Sequence, residues 1–378
     1  MRVSFRAVTR NGASLVTGTV RVEQPVIRVV PDGRAGDRRR VAQREPRETP
    51  PNVFIYIVDT LRADYLGVYG YPEAVSPHID QLAQDGVLFE RTITNSPWTK
   101  PSVASIFTGM WPATHNVLAK GQSLPDEATT LAEMLRPAGF QTAAFVANGH
   151  VTDRFGFDQG FDRFLFLEPP DRDTQLPPQS VDVNAIALRW LARYATKAPL
   201  FLYVHTVDPH GPYDPPKEFR DRFAPGADLN LGSRETLKQL RHKRLPVTAE
   251  LIRDMRALYA AEVAFNDDSF GDFVAALRAH GMYDDALIVF LSDHGEAFHE
   301  HESWEHGKDV YGEVVNVPLI IKFPARDGLG GRRVADRTQQ VDVVPTILDY
   351  LGLPIPAALE GRSLVGLACA KPGTAATR

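Results

Sequence analysis

Short, largely apolar runs alternate with amphipathic stretches along most of this chain. Val53–Val58, Thr142–Ala147, Leu200–Thr206, Ala286–His294 and Pro318–Phe323 are continuous enough to predict strands buried on both faces. Between them, helical spacing recurs. Residues 76–90 carry Ile79, Leu82, Ala83 and Gly86 on one side, and Thr130–Leu135 opens with a threonine cap followed three residues later by Glu133, ending before Gly139. Helices are also predicted over 184–195, from Thr248 onward with Phe270, Phe273, Val274 and Leu277 on one face, and over 342–352. Such alternation predicts an α/β fold: a doubly wound, mostly parallel sheet with helices on both faces and a small C-terminal region.

The flanks read differently. Residues 1–30 alternate polar and apolar around Asn11-Gly12, predicting two or three strands, either an edge hairpin or the remnant of a preceding β domain. Residues 31–51 are rich in Arg, Pro, Gly and Asp without periodicity and read as a linker, and 366–378 as a disordered tail. Residues 211–247, rich in Pro, Gly and basic side chains, read as a long excursion that covers a ligand or simply lies in solvent.

Composition narrows the options. A net charge of −5 over 378 residues gives no overall pull toward nucleic acid, so anion binding has to be local. The single cysteine, Cys369, excludes an intrachain disulfide and a multi-cysteine metal site. No stretch has the length of a membrane span and the N-terminus lacks a signal-peptide core. The expectation is a soluble chain, cytoplasmic on its face or exported if its N-terminus is truncated, with oligomeric state open.

Candidate chemistry collects where strands end. Asp59 closes the first core strand and Asp293-His294 the one at 286–294, positions where α/β sheets gather ligands. In Ser96–Gly109, Pro101 and Ser102 are expected to begin a short helix whose buried face is Val103, Ile106 and Phe107. Thr99 would then stand just before a helix N-terminus, as a nucleophile or merely as an N-cap. Asp59, Thr99, Asp293 and His294 together would suit a divalent cation, zinc or manganese before calcium or magnesium, because a histidine is present. Such an ion would lower the pKa of the Thr99 hydroxyl. Lys100 is a candidate for added positive charge. Two more polar clusters follow strands, His205–Tyr213 and His299, His301, His306 with Lys308.

Seven segments, in order, resemble the sulfatase branch of the alkaline phosphatase superfamily. They are Asn52–Asp64, the Thr99 segment, Asp208–Tyr213, Ser292–Glu296, His306-Gly307, Val317–Ile321 and Val341–Leu348, together spanning about 52–365. The resemblance implies a catalytic domain of that fold, a metal held by Asp59, Asp293 and His294, Thr99 as nucleophile, and His210 and His306 on the substrate's anionic group or leaving oxygen. Asp208, His301 and Lys308 join them as candidate substrate contacts, the substrate being a small-molecule, lipid or glycan ester. Three departures matter. Sulfatases carry Cys or Ser at the Thr99 position, oxidised to formylglycine, and threonine cannot give that aldehyde; they also have Arg where Val103 stands and commonly a second Asp where Thr60 stands. The expected activity is therefore attack by Thr99 on a phosphate mono- or diester, hydrolase or transferase, through a phosphothreonine. A sulfuric ester hydrolase and a non-catalytic anion-binding domain are the alternatives.

Overall fold

The computed structural model describes residues 2–6, 17–21, 50–169, 178–194 and 198–370. Its strands, in chain order, are β1 Arg2–Arg6, β2 Thr17–Arg21, β3 Val53–Val58, β4 Val87–Ile93, β5 Gln141–Val146, β6 Arg163–Phe166, β7 Leu200–Thr206, β8 Leu287–Ser292, β9 Ala297–Phe298, β10 Trp304–Glu305, β11 Asn316–Lys322 and β12 Arg332–Gln339. The chain divides into two units, 1–43 and 44–378. In the first, β1 pairs antiparallel with β2, Arg2 opposite Arg21 and Arg6 opposite Thr17, as alternation on both sides of Asn11-Gly12 predicts. The turn itself, and residues 31–49 of the expected linker, lie outside the described residues.

The second unit is built on an eight-stranded sheet in the order β12-β4-β11-β8-β3-β7-β5-β6. All pairings are parallel except those of β11, which runs antiparallel to both β4 and β8. Alternation along β3 explains the two layers. Phe54, Tyr56 and Val58 pack toward the helices Pro77–Asp85, Ser180–Tyr194 and Ala249–Ala279, while Val53, Ile55 and Ile57 pack toward Thr99–Thr108, Leu131–Leu135 and Val343–Leu351. A strand buried on both faces has no polar face to alternate, hence its unbroken apolar run.

Three expectations are corrected here. The helix over 76–90 stops at Asp85, and Val87-Leu88-Phe89 enters the sheet between β11 and β12. At the junction a side chain on Gly86 would sit 3.0 Å from the carbonyl of Ile321, so the turn passes flush against β11. The 211–247 excursion is not irregular: it holds the helices Lys217–Phe223 and Arg234–Arg241, the second capped by Ser233, whose hydroxyl accepts from Thr236 N–H. The tail expected from 366 begins inside a helix, Val365–Cys369, with Ala368 buried; residues 371–378 lie outside the described residues.

Elsewhere the local signals hold. Thr130 and Glu133 form the reciprocal capping box, and Thr248 caps the long helix by accepting from Leu251 N–H. The helix predicted over 184–195 runs Ser180–Tyr194 and that over 342–352 runs Val343–Leu351, stopped by Gly352 in the left-handed region. Among the described residues no helix is long and apolar enough to cross a membrane.

Candidate active site

β3 and β8 are neighbours and parallel, so Asp59 and Asp293 emerge side by side at the same edge. Thr60 follows with φ +57, a left-handed turn uncommon for a β-branched residue. Its N–H donates to Asp293 Oδ1 at 3.1 Å, and His294 N–H donates to the same oxygen at 2.8 Å. Asn148, just beyond β5, donates to Asp59 Oδ2 at 2.5 Å. Each carboxylate thus has one oxygen held by amides. The others, Asp59 Oδ1 and Asp293 Oδ2, are buried and accept no hydrogen bond among the described residues.

Those two bare oxygens converge on His294. Its Nδ1 lies 3.0 Å from the carbonyl of Gly295, which can only accept, so the proton sits on Nδ1. Nε2 therefore points its lone pair at Asp293 Oδ2, 3.3 Å away, and Asp59 Oδ1, 3.6 Å away. Burial lowers the His294 pKa, keeping the ring neutral. Burial, then the neighbouring Asp293, pushes Asp59 well above the carboxylate range. Two buried carboxylates and an imidazole lone pair, with ligand atoms all within 4.8 Å of one another, form an arrangement that a divalent cation completes.

Thr99 stands over this triad, its Oγ1 3.2 Å from His294 Nε2. The helix begins at Thr99 rather than at Pro101, and Trp98 occupies the cap position without a side-chain bond. Thr99 is therefore not the N-cap, and its hydroxyl is left for the site. Every residue of this helix is buried, and Gly109 at φ +66 ends it by donating to Ser105 O. A wholly packed helix fixes the hydroxyl rigidly.

Outward from Thr99 lies a pocket of about 490 Å³ whose walls include Trp98, Lys120, His150, His210, His306 and Lys308. The His306 ring packs 4.3 Å from His294 and 5.1 Å from His210, centroid to centroid. His306 Nδ1 donates to Glu296 Oε1 at 3.0 Å, and the other oxygen of Glu296 accepts from Tyr213 OH at 3.1 Å. His210 Nδ1 donates to Gly211 O. Both rings thus turn Nε2 away from these bonds, and burial lowers the pKa of each to about 4.

Of the sequence candidates, Asp59, Thr99, Asp293, His294, His210, His306 and Lys308 come together. Three do not. Lys100 is buried with its ammonium over the Phe155 ring, donating to the carbonyls of Lys120 and Gln122, so it braces the loop behind the pocket. Asp208 accepts from Ser180 N–H at 2.7 Å and anchors the start of the Ser180–Tyr194 helix. His301 is exposed, paired with Glu313 at 2.7 Å and stacked on Tyr311. Sequence reading left Asn148, His150, Glu296 and Tyr213 without a role. Glu296 and Tyr213 lie inside the quoted segments, and Asn148 follows a core strand at the same sheet edge as Asp59. The wall contributions of His150 and Lys120 depend on loop conformations that carry no pattern, and that of Arg241 on where the Arg234–Arg241 helix docks.

An α/β sheet presenting a buried hydroxyl above two carboxylates and an imidazole, beneath a basic pocket, defines a metal-assisted ester hydrolase. The chain matches the Sulfatase family over residues 51–353, and it belongs to that family. It is 26% identical over 351 residues to an ulvan-active sulfatase of Formosa agariphila, covering 87% of this chain and 67% of that protein. An arylsulfatase of Clostridium perfringens is 25% identical, covering 84% and 78%. Among solved structures, a phosphonate monoester hydrolase of Agrobacterium radiobacter superposes with a TM-score of 0.71 at 27% identity, covering 86% and 78%. The weight of sulfatases among these relatives favours the sulfuric ester alternative over the phosphate-ester reading drawn from Thr99.

Proposed function

We propose that the protein hydrolyses sulfate esters, with Thr99 as the attacking group. The observation that carries this is the Thr99 hydroxyl at 3.2 Å from His294 Nε2, directly over the bare oxygens of Asp59 and Asp293. Asp59, Asp293 and His294 would hold the metal, and their mixed oxygen–nitrogen set suits zinc or manganese. The bound ion would lower the Thr99 pKa and neutralise charge on the ester oxygens.

In the first step Thr99 Oγ1 bonds to sulfur and the sulfur–oxygen bond to the leaving group breaks, its electron pair departing on that oxygen. The Thr99 proton ends on the leaving oxygen, carried by a neutral imidazole, His210 or His306. Water then attacks sulfur and gives its proton to the same imidazole; the bond to Oγ1 breaks and Thr99 is reprotonated. Lys308 and the N-terminal end of the Thr99 helix face the anion.

One observation favours a second reading: an unoxidisable threonine where sulfatases place the formylglycine precursor. The same steps at phosphorus would cleave phosphonate or phosphate esters through a phosphothreonine, in keeping with the Agrobacterium radiobacter relative. Side-by-side turnover of aryl sulfate, aryl phosphate and aryl phosphonate esters with added manganese or zinc decides between them. Thr99→Ala should lower the preferred turnover by about 10³-fold or more. Undiminished turnover in that variant would refute the assignment of the nucleophile.

A further inference from the structure

A second pocket, about 470 Å³, lies at the other edge of the sheet, where β5 and β6 begin and the Ser180–Tyr194 helix ends. Asp59 and Thr99 sit beyond the opposite ends of the parallel strands. Gln141, in the pocket wall, opens β5, and Val146 at the far end of that strand lies about 16 Å on at about 3.3 Å per residue.

Its walls combine two kinds of group. Trp190 and Tyr194, both half-buried, stand 5.1 Å apart on successive turns of the helix, backed by the buried Phe145 at 6.3 Å from Trp190, and the Arg193 guanidinium lies 5.8 Å over the Tyr194 ring. Around it stand the exposed guanidinium groups of Arg163, Arg189 and Arg193, none of which forms an ion pair among the described residues. The one acid in the wall, Asp162, is already engaged: Oδ2 accepts from Thr142 N–H at 3.0 Å and Oδ1 pairs with Arg136 at 3.2 Å. Among the described residues, three cations therefore face one concavity without an ion-pair partner, in a chain whose net charge is −5.

We propose that this pocket is a second binding site for an anionic carbohydrate, gripping a sugar unit of the substrate chain remote from the bond that is cut. Planar guanidinium forks match sulfate, phosphate or carboxylate oxygens, and aromatic faces take the apolar face of a sugar ring. A nucleic acid offers related chemistry, but it would be expected to call for a longer basic track than a single concavity in an acidic protein. The assignment rests on the ester-hydrolase reading of the Thr99 centre, with a carbohydrate as the carrier of the ester.

The test is calorimetric binding of a sulfated dextran oligosaccharide to the intact chain, beside inorganic sulfate and an oligonucleotide of equal charge. Arg189→Ala/Arg193→Ala removes two solvent-exposed side chains and leaves the core untouched. The expected result is oligosaccharide binding that weakens about tenfold or more in the double variant, with turnover of a small aryl ester unchanged. Oligosaccharide affinity that survives the double substitution, or equal binding of the oligonucleotide, overturns the proposal. Intact, arginine-dependent binding in a protein that turns over no small ester supports the pocket and counts against the Thr99 reading alone.

Discussion

Replacing Asp59 by asparagine should make the metal-free protein more stable and the metal less able to stabilise it. The ligand atoms of Asp59, Asp293 and His294 lie within 4.8 Å of one another, and both carboxylates are fully buried. Two unit negative charges at that separation repel by about 3.5 kcal/mol at an effective dielectric of about 20. Escape by taking up a proton at pH 7 costs about 4 kcal/mol from an ordinary carboxylate pKa, so neither route is free. Asparagine keeps an acceptor for Asn148 Nδ2, bonded at 2.5 Å to Asp59 Oδ2, and can turn its own amide toward Asp293 Oδ2. Relief of about 3.5 kcal/mol in a unit of this size corresponds to roughly 5 °C in Tm. Scanning calorimetry of both proteins, with chelator and then with manganese or zinc, measures the two effects. The wild-type protein should gain stability on metal addition and the variant little. A variant whose chelated Tm is unchanged or lower, and whose response to metal matches wild type, would refute a cation site at these carboxylates.

Glu296→Gln keeps an acceptor for His306 Nδ1–H and reverses the Tyr213 bond, the amide now donating to the phenol oxygen, while it removes a carboxylate whose pKa burial raises to about 7; kcat should fall about tenfold or more while KM moves little, and unchanged kcat would leave Glu296 a packing residue. His115 predicts a pH dependence of stability. It is buried, its Nδ1 accepts from Val117 N–H, its Nε2 bonds Ser105 Oγ, and burial lowers its pKa to about 4. The unfolded chain takes up a proton near pH 6.5 and the folded one not until about 4, so stability is present above 6.5 and lost as pH falls through that window. The loss reaches about 3 kcal/mol, and His115→Gln should flatten this part of the curve in urea titrations at pH 7 and pH 4.5.

The elements that could be read from sequence are those whose local pattern and tertiary environment agree. β3 is apolar throughout, and β7 and β8 are apolar up to their last residues, because helices cover both their faces, and Thr130 and Thr248 mark helix starts because a cap is a short-range bond. Strand ends in a parallel sheet share one edge, so Asp59, Asp293 and His294 could be placed together before any coordinates. What sequence could not supply is pairing. Val87–Phe89 reads as the end of a helix until β11 and β12 flank it, and the charged Arg332–Gln339 becomes a strand only because β4 offers a partner. The same holds within the site. Asp208 and Lys100 carry the right chemistry in the right segments, yet one is spent on the Ser180 N–H and the other on two loop carbonyls. A hydrogen bond to a residue far along the chain decides what a side chain is free to do, and only the folded protein brings that partner into reach.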